Sequence, residues 1–340
     1  MRANTACLPA AMLLTAFTAL IFFTNLSAAY AASGKPSPAE ILKAVVKVEA
    51  TVPPDARTAP SLGTLRSGHG AVIENDGLIL TVGYLILEAE SITVTQYDGT
   101  QIPAAAIAYD HNSGFGLVRT ARPVKAAPLV LGDSTALKPE DVAIAASYGG
   151  GDTVIPVKIA SRRDFTGYWE YLLEDAIFTV PPYRNFGGAA LLNQDGQLVG
   201  IGSLLVPDAI AAGAYGPGNM FIPINRFKPI RDELVHKGRT SIPNHPWIGL
   251  YTEEARGRLF VQRVAKGEPS EKAGLGVGDI VVSVGDSPIQ TQLEFYRSLW
   301  AYGAPGAHIP ITVLTPKSRL RTVEIVSVDR YSWLRQPRGN

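Results

Sequence analysis

Arg184-Asn185-Phe186-Gly187-Gly188-Ala189 is the stretch on which the reading of this chain rests. Its adjacent glycines allow backbone conformations closed to other residues, and the apolar run Ala189–Asn193 behind it reads as a strand. Working outward, similar short runs rich in β-branched and aliphatic residues are separated by turn signals. One set comprises Val45–Ala50, Gly70–Glu74, Leu78–Val82, Ser91–Tyr97, Ile102–Tyr109 and Phe115–Arg119. A second comprises Val142–Ser147, Val154–Ser161, Tyr171–Phe178, Ala189–Asn193, Leu198–Leu205 and Met220–Ile224. Asn75-Asp76-Gly77, Asp98-Gly99 and Asp195-Gly196 supply hairpin turns. Two batches of six strands predict an all-β dominated fold built on a double β-barrel.

Other segments frame these sets. Ser37-Pro38-Ala39-Glu40 predicts a short capped helix, and 225–237 predicts a closing helix kinked or shortened by Pro229. The proline-stiffened linker 241–246 leads to a separate unit, small and of α+β type. That unit includes a Gly-rich segment, a helix over Gln292–Trp300 and closing strands Ile309–Leu314 and Arg321–Val328. The domains expected are therefore 38–240 and 245–330.

The N-terminus has Arg2, an apolar run from Ala10 to Phe23 and the A-x-A site Ala29-Tyr30-Ala31. This predicts a cleaved export signal over residues 1–31 and a periplasmic or otherwise exported location. The apolar run falls short of the roughly 20 residues of a spanning helix, which disfavours the alternative of an N-terminal membrane anchor. The single cysteine, Cys7, leaves with the signal. Lys and Arg total 31 against 30 Asp and Glu, a balance without the basic footprint of a nucleic-acid binder. The five histidines are scattered without metal-ligand spacing, so no metal or cofactor is expected. Each of them reads as an ordinary surface or loop residue.

The chain resembles the HtrA/DegP family of trypsin-like, PDZ-bearing proteases over roughly 67–328. Five landmarks fall in family order. Ser67-Gly68-His69-Gly70 is similar to the family's Gly-Ser-Gly. Leu78-Ile79-Leu80-Thr81-Val82-Gly83-Tyr84-Leu85-Ile86 is similar to the histidine segment. Asp110-His111-Asn112-Ser113-Gly114-Phe115-Gly116-Leu117 is similar to the aspartate segment. Leu131-Gly132-Asp133-Ser134 repeats the family's L-G-D-S, and the opening stretch resembles the Gly-Asn-Ser-Gly-Gly-Ala nucleophile turn. The resemblance implies a chymotrypsin-like double β-barrel followed by a PDZ domain. It places Tyr84 at the histidine position, Gly114 at the aspartate position, Phe186 at the serine position and Arg184 at an oxyanion-hole glycine.

Acyl transfer needs a hydroxyl or thiol beside a base, and a phenyl ring offers neither. The expectation is therefore that the chain is not an enzyme, and that the Tyr84 and Phe186 rings pack into the former polar cleft with Gly114 giving them room. The alternative is a serine-type endopeptidase of envelope quality control with displaced groups. Its candidate hydroxyls are Ser113 and Ser203, and its displaced base would be His111.

Trp247-Ile248-Gly249-Leu250 resembles the carboxylate-binding loop of bacterial PDZ domains, and 269–281 resembles their S-P-A-x-x-A-G-L-x-x-G-D run. The resemblance implies peptide binding through Trp247, Ile248, Gly249 and Leu250. The partners it implies are C-terminal or extended segments of exported proteins, with a homo-oligomer (a trimer) or co-assembly with an active homologue beside them. A competing reading makes the loop a turn closing an occluded groove.

Overall fold

Strand β1 (Val45–Thr51) shows why these segments pair. Its Val46, Val48 and Ala50 are buried while Lys47 and Glu49 remain half-exposed, the period-2 alternation of a barrel wall. The computed structural model describes residues 36–335, so the export signal lies outside the described residues. Strands β1, β2 (Leu65–Val72), β3 (Leu78–Val82), β4 (Ser91–Thr95), β5 (Gln101–Tyr109) and β6 (Phe115–Thr120) close a first barrel in the order β1-β2-β3-β6-β5-β4. Strands β7 (Val142–Ala146), β8 (Val154–Gly167), β9 (Tyr171–Val180), β10 (Ala190–Leu192), β11 (Leu198–Val206) and β12 (Gly218–Pro223) close a second, in the order β10-β11-β12-β9-β8-β7. Closure removes sheet edges. The chymotrypsin-like double barrel expected from the sequence is present.

Helix α1 (Pro38–Lys43) carries the expected capping box between Ser37 and Glu40. A one-turn helix α2 (Ala59–Leu62) was not expected. Pro229 confines the closing helix to its second half, α3 (Arg231–Lys237), behind two 3-10 turns at Ile224–Arg226 and Lys228–Ile230.

The barrels meet where glycines let backbones touch. A Cβ on Gly188 (φ +77°) would stand 1.9 Å from the His69 carbonyl oxygen, and one on Gly68 would stand 2.6 Å from the Gly187 carbonyl oxygen. The His69 N–H donates to the Gly187 carbonyl at 2.8 Å. This contact fixes the turn at 184–189 against the first barrel.

Strand β8 runs six residues past its expected end, to Gly167. The charged residues past Ser161 are paired: Arg162 with Asp175, Arg163 with Asp208 at 3.0 Å, and Asp164 with Arg297 at 2.7 Å. The long hairpin β8–β9 thereby carries its tip, residues 168–170, out to the C-terminal unit.

That unit forms a sheet in the order β13 (Leu250–Ala255), β14 (Arg258–Val264), β15 (Ile280–Val284), β17 (His308–Leu314) and β18 (Leu320–Val326), with β16 (Ser287–Pro288) paired to β15. Helix α4 (Pro269–Lys272) is short. Helix α5 (Gln292–Trp300) has the range expected, a Thr291–Glu294 capping box, and buries Phe295, Tyr296 and Leu299 in the unit's core. The chain then returns to the first barrel through α6 (Arg330–Trp333), another element the sequence did not announce. Tyr331 Oη donates to the Tyr109 carbonyl, and Arg335 contacts Asp55 and Glu88 at 2.8 Å each.

Candidate functional site

The turn that carries Tyr84 meets position 114 through the Gly83 N–H to Gly114 carbonyl bond at 2.8 Å and approaches the 184–189 turn at Gly187. Tyr84 lies in the 3-10 turn Gly83–Leu85 after β3. Its hydroxyl crosses the cleft to donate to the Ser203 carbonyl at 2.9 Å, and a Cβ on Gly187 would stand 3.0 Å from it. A phenol removed from water needs such an acceptor, and burial pushes its pKa well up. Phe186, next to Gly187 in the chain, is half-buried. Among the described residues no ring contact joins Tyr84 to Phe186, so the predicted aromatic pair is not formed.

The space at Gly114 is filled by a third residue. Gly114 adopts φ +83°, where a Cβ would lie 2.9 Å from the Tyr171 hydroxyl oxygen. That hydroxyl donates to the Ser113 carbonyl at 2.7 Å. Tyr171 is buried and its pKa is raised well above the phenol value, first by desolvation. Sequence reasoning missed it, since nothing in β9 marks Tyr171 as a neighbour of β6.

The displaced-group candidates are held in structural contacts. Ser113 Oγ donates to Asp110 at 2.5 Å in a local turn. Ser203 is buried. His111 is buried rather than exposed, with its ring edge-on to Tyr109 and Tyr331 at 4.4 and 4.2 Å between centroids. Among the described residues neither of its ring nitrogens has a hydrogen-bond partner, and desolvation, then Arg330, holds its pKa well below the ordinary value. His69 accepts the Tyr148 N–H at 3.2 Å, and burial followed by Lys47 brings its pKa down to about 4. Arg184 is exposed. Among the described residues, the N–H groups of Arg184 and Phe186 donate to no backbone carbonyl.

The second candidate site is the loop Trp247–Leu250, and it is occupied. Glu170, at the tip of the β8–β9 hairpin, places its carboxylate on the Leu250 N–H at 2.7 Å and the Ile248 N–H at 3.2 Å. Gly249 between them has φ +78°, and a Cβ there would meet Glu268 and Ala265 at 3.0 and 3.1 Å. The loop thus needs glycine to present successive amides to one anion. Trp247 packs with Tyr251 and Ala265, against which Trp169 of the hairpin also lies. His245 stacks on Trp300 at 4.0 Å, while Tyr302 is exposed. The groups facing Glu170 are Arg330, Tyr296 and Tyr251. Burial raises its pKa to about 7 against the pull of the loop amides and Arg330.

The comparisons fit this geometry. A trypsin-like peptidase domain matches residues 68–201, and a PDZ domain matches residues 246–326. The periplasmic pH-dependent serine endoprotease DegQ of Escherichia coli is 28% identical over 280 residues, 77% of this chain and 58% of that protein. The serine protease Do-like HtrA of Bacillus subtilis is 24% identical over 277 residues, 73% of this chain and 60% of that protein. In its pairing of a trypsin-like peptidase domain with a PDZ domain, the chain is similar to the HtrA/DegP proteases. It spans less than two thirds of the length of these curated relatives. Among solved structures, the HtrA-type protease AlgW with decapeptide aligns over 89% of this chain and all of that one, with TM-score 0.52 and 18% identity. The serine endoprotease of Yersinia pestis aligns over 86% of this chain and 98% of that one, with TM-score 0.50 and 24% identity.

These findings correct one expectation. The chain was expected not to be an enzyme because Tyr84, Gly114 and Phe186 replace the triad. The relatives are named serine endoproteases, and the trypsin-like peptidase domain is present, which points to a protease rather than a non-enzyme. Residue types at three positions describe those positions alone.

Two measurements check the geometry. Gly114→Asp should destabilise the protein by about 2–4 kcal/mol, combining left-handed backbone with crowding against Tyr171. In a Tyr171→Leu background the same change should cost at least 1 kcal/mol less by chemical denaturation, the coupling expected of contacting residues. Glu170 binds its proton more tightly in the folded protein than in the unfolded chain, with a pKa of about 7 against the ordinary 4.5. Its contribution is therefore full below pH 4.5 and lost as pH rises through 7, roughly 2–4 kcal/mol in all. Relative to Glu170→Gln, which cannot ionise, the wild type should lose about that much stability between pH 4.5 and pH 8.

Proposed function

We propose that this chain is an exported factor of envelope protein quality control that captures polypeptide segments through its PDZ loop and presents them to the trypsin-like barrels. The observation that carries this reading is the convergence of the Ile248 and Leu250 amides on one carboxylate. A peptide's terminal carboxylate offers the same pair of acceptor oxygens, and the edge of β13 offers main-chain groups to an extended segment. The export signal read in the sequence and the periplasmic names of several relatives support the location.

The endoprotease names of the relatives favour hydrolysis as the outcome of capture. Chemistry limits its source, because Phe186 has no nucleophilic atom and the Tyr84 phenol stays protonated. Hydrolysis in this chain therefore draws on groups other than the usual three. The unengaged amides of Arg184 and Phe186 are the donors best placed in sequence to meet an oxyanion. Oxyanion contacts and binding alone supply roughly 10³–10⁴-fold over water.

Fluorescence anisotropy with ten-residue peptides tests capture. Apolar-ended peptides with a free carboxylate should bind at least 10-fold tighter than their amidated forms, and Gly249→Ala should remove that preference. Equal affinity for both forms would discard the carboxylate reading. For the hydrolytic step, a homogeneous preparation should cleave a fluorogenic protein substrate slowly, and Phe186→Ala should change the rate less than about 3-fold. No turnover above a buffer control would remove hydrolysis and leave capture standing.

A further inference from the structure

The PDZ groove already contains part of its own chain. Strand β13 is an edge of its sheet, paired only with β14. Along its open side the N–H groups of Ile248, Leu250 and Thr252 follow one another at every second residue, the spacing at which a strand presents donors to one neighbour. The first two hold the Glu170 carboxylate, and the third donates to the Tyr168 carbonyl at 3.1 Å. On the opposite wall, Tyr296 of α5 donates to the Gly167 carbonyl at 2.7 Å and accepts the Glu170 N–H at 3.2 Å. Leu172 packs against the unit's apolar core. A carboxylate on the loop, a main-chain bond to the edge and an apolar side chain against the core are what a bound peptide would supply.

The hairpin tip puts an acid, not a glycine, at its left-handed position. Glu170 sits at φ 56°, a left-handed conformation costly for a residue with a Cβ. It is also a buried carboxylate that burial alone disfavours. The three-residue loop between Gly167 and Tyr171 closes with a left-handed third residue, so the conformation belongs to the turn and only the buried acid goes beyond what closure needs.

We propose that Tyr168–Glu170 is an internal ligand of the PDZ groove, which an incoming peptide with a free terminal carboxylate must displace. This rests on the reading of Trp247–Leu250 as a capture loop. A tethered ligand competes at an effective concentration in the millimolar range, so apparent affinity for free peptide falls by the fraction of molecules whose groove is open. The barrel domain thereby sets the threshold for capture.

The test uses the full chain with Glu170→Ala and Glu170→Gln, each checked for native melting. Anisotropy is read with a ten-residue peptide carrying an apolar end and free carboxylate, and hydrogen exchange is read at residues 248–252. Glu170→Ala should bind at least 10-fold tighter than wild type and should exchange its Ile248 and Leu250 amides faster. Glu170→Gln should fall between the two. Unchanged or weaker binding by Glu170→Ala would overturn the internal ligand. Should neither protein bind, faster exchange in Glu170→Ala would uphold the internal contact and count against peptide capture, and unchanged exchange would overturn the contact itself.

Discussion

A carboxylate taken out of water must be met by donors or it becomes neutral, and that requirement, at Glu170, joins the two halves of this molecule. Two backbone N–H groups of the PDZ loop answer it, in a site where charge-assisted bonds are worth more than neutral ones. Around the contact sit Trp169, Trp247 and Tyr251, large side chains that pack together there. The opposing terms are close: desolvation exceeds the pull of the amides and Arg330 enough to raise the pKa to about 7. The contact is therefore a balanced one, held by its neighbours as much as by its own bonds.

In the cleft, the three family positions have not simply been vacated. The Tyr84 hydroxyl reaches the Ser203 carbonyl, and the Tyr171 hydroxyl fills the space a side chain at 114 would use. Each phenol satisfies its donor on a backbone carbonyl, so the region is rebuilt as a bonded structure rather than left open. A single substitution toward an ordinary triad meets this packing first. Chemistry at the cleft, of whatever kind, has to work around two fixed phenols.

Much of this was legible in the sequence, and the parts that were not share a physical reason. Leu78–Val82 and Gln292–Trp300 have the ranges expected, because alternation and capping are local signals. Tyr84, Gly114 and Phe186 were expected in one cleft only through the resemblance of their motifs to a family. The course of β8 beyond Ser161 was hidden because Arg162, Arg163 and Asp164 look like a solvated turn until Asp175, Asp208 and Arg297 are seen beside them. Tyr171 and Glu170 look ordinary for the same reason: their partners lie 58 and 78–80 residues away. His111, read as a surface residue, is buried by a helix that returns from the end of the described chain.

These long-range contacts place the PDZ unit between two attachments of different kinds. One is the hairpin tip, where the desolvation of a buried acid opposes the bonds made. The other is the return through α6, where Tyr331 and Arg335 bond to Tyr109, Asp55 and Glu88 without such costs. Of the two, the hairpin is the one that a competing carboxylate can replace in kind, since it offers the loop the same oxygens. Release there leaves the C-terminal attachment in place, so the unit opens its groove while remaining beside the first barrel. Glu170 and Tyr171 are consecutive, yet the carboxylate of one meets the PDZ loop while the hydroxyl of the other lies against Gly114. The same short segment therefore supports the packing of both sites.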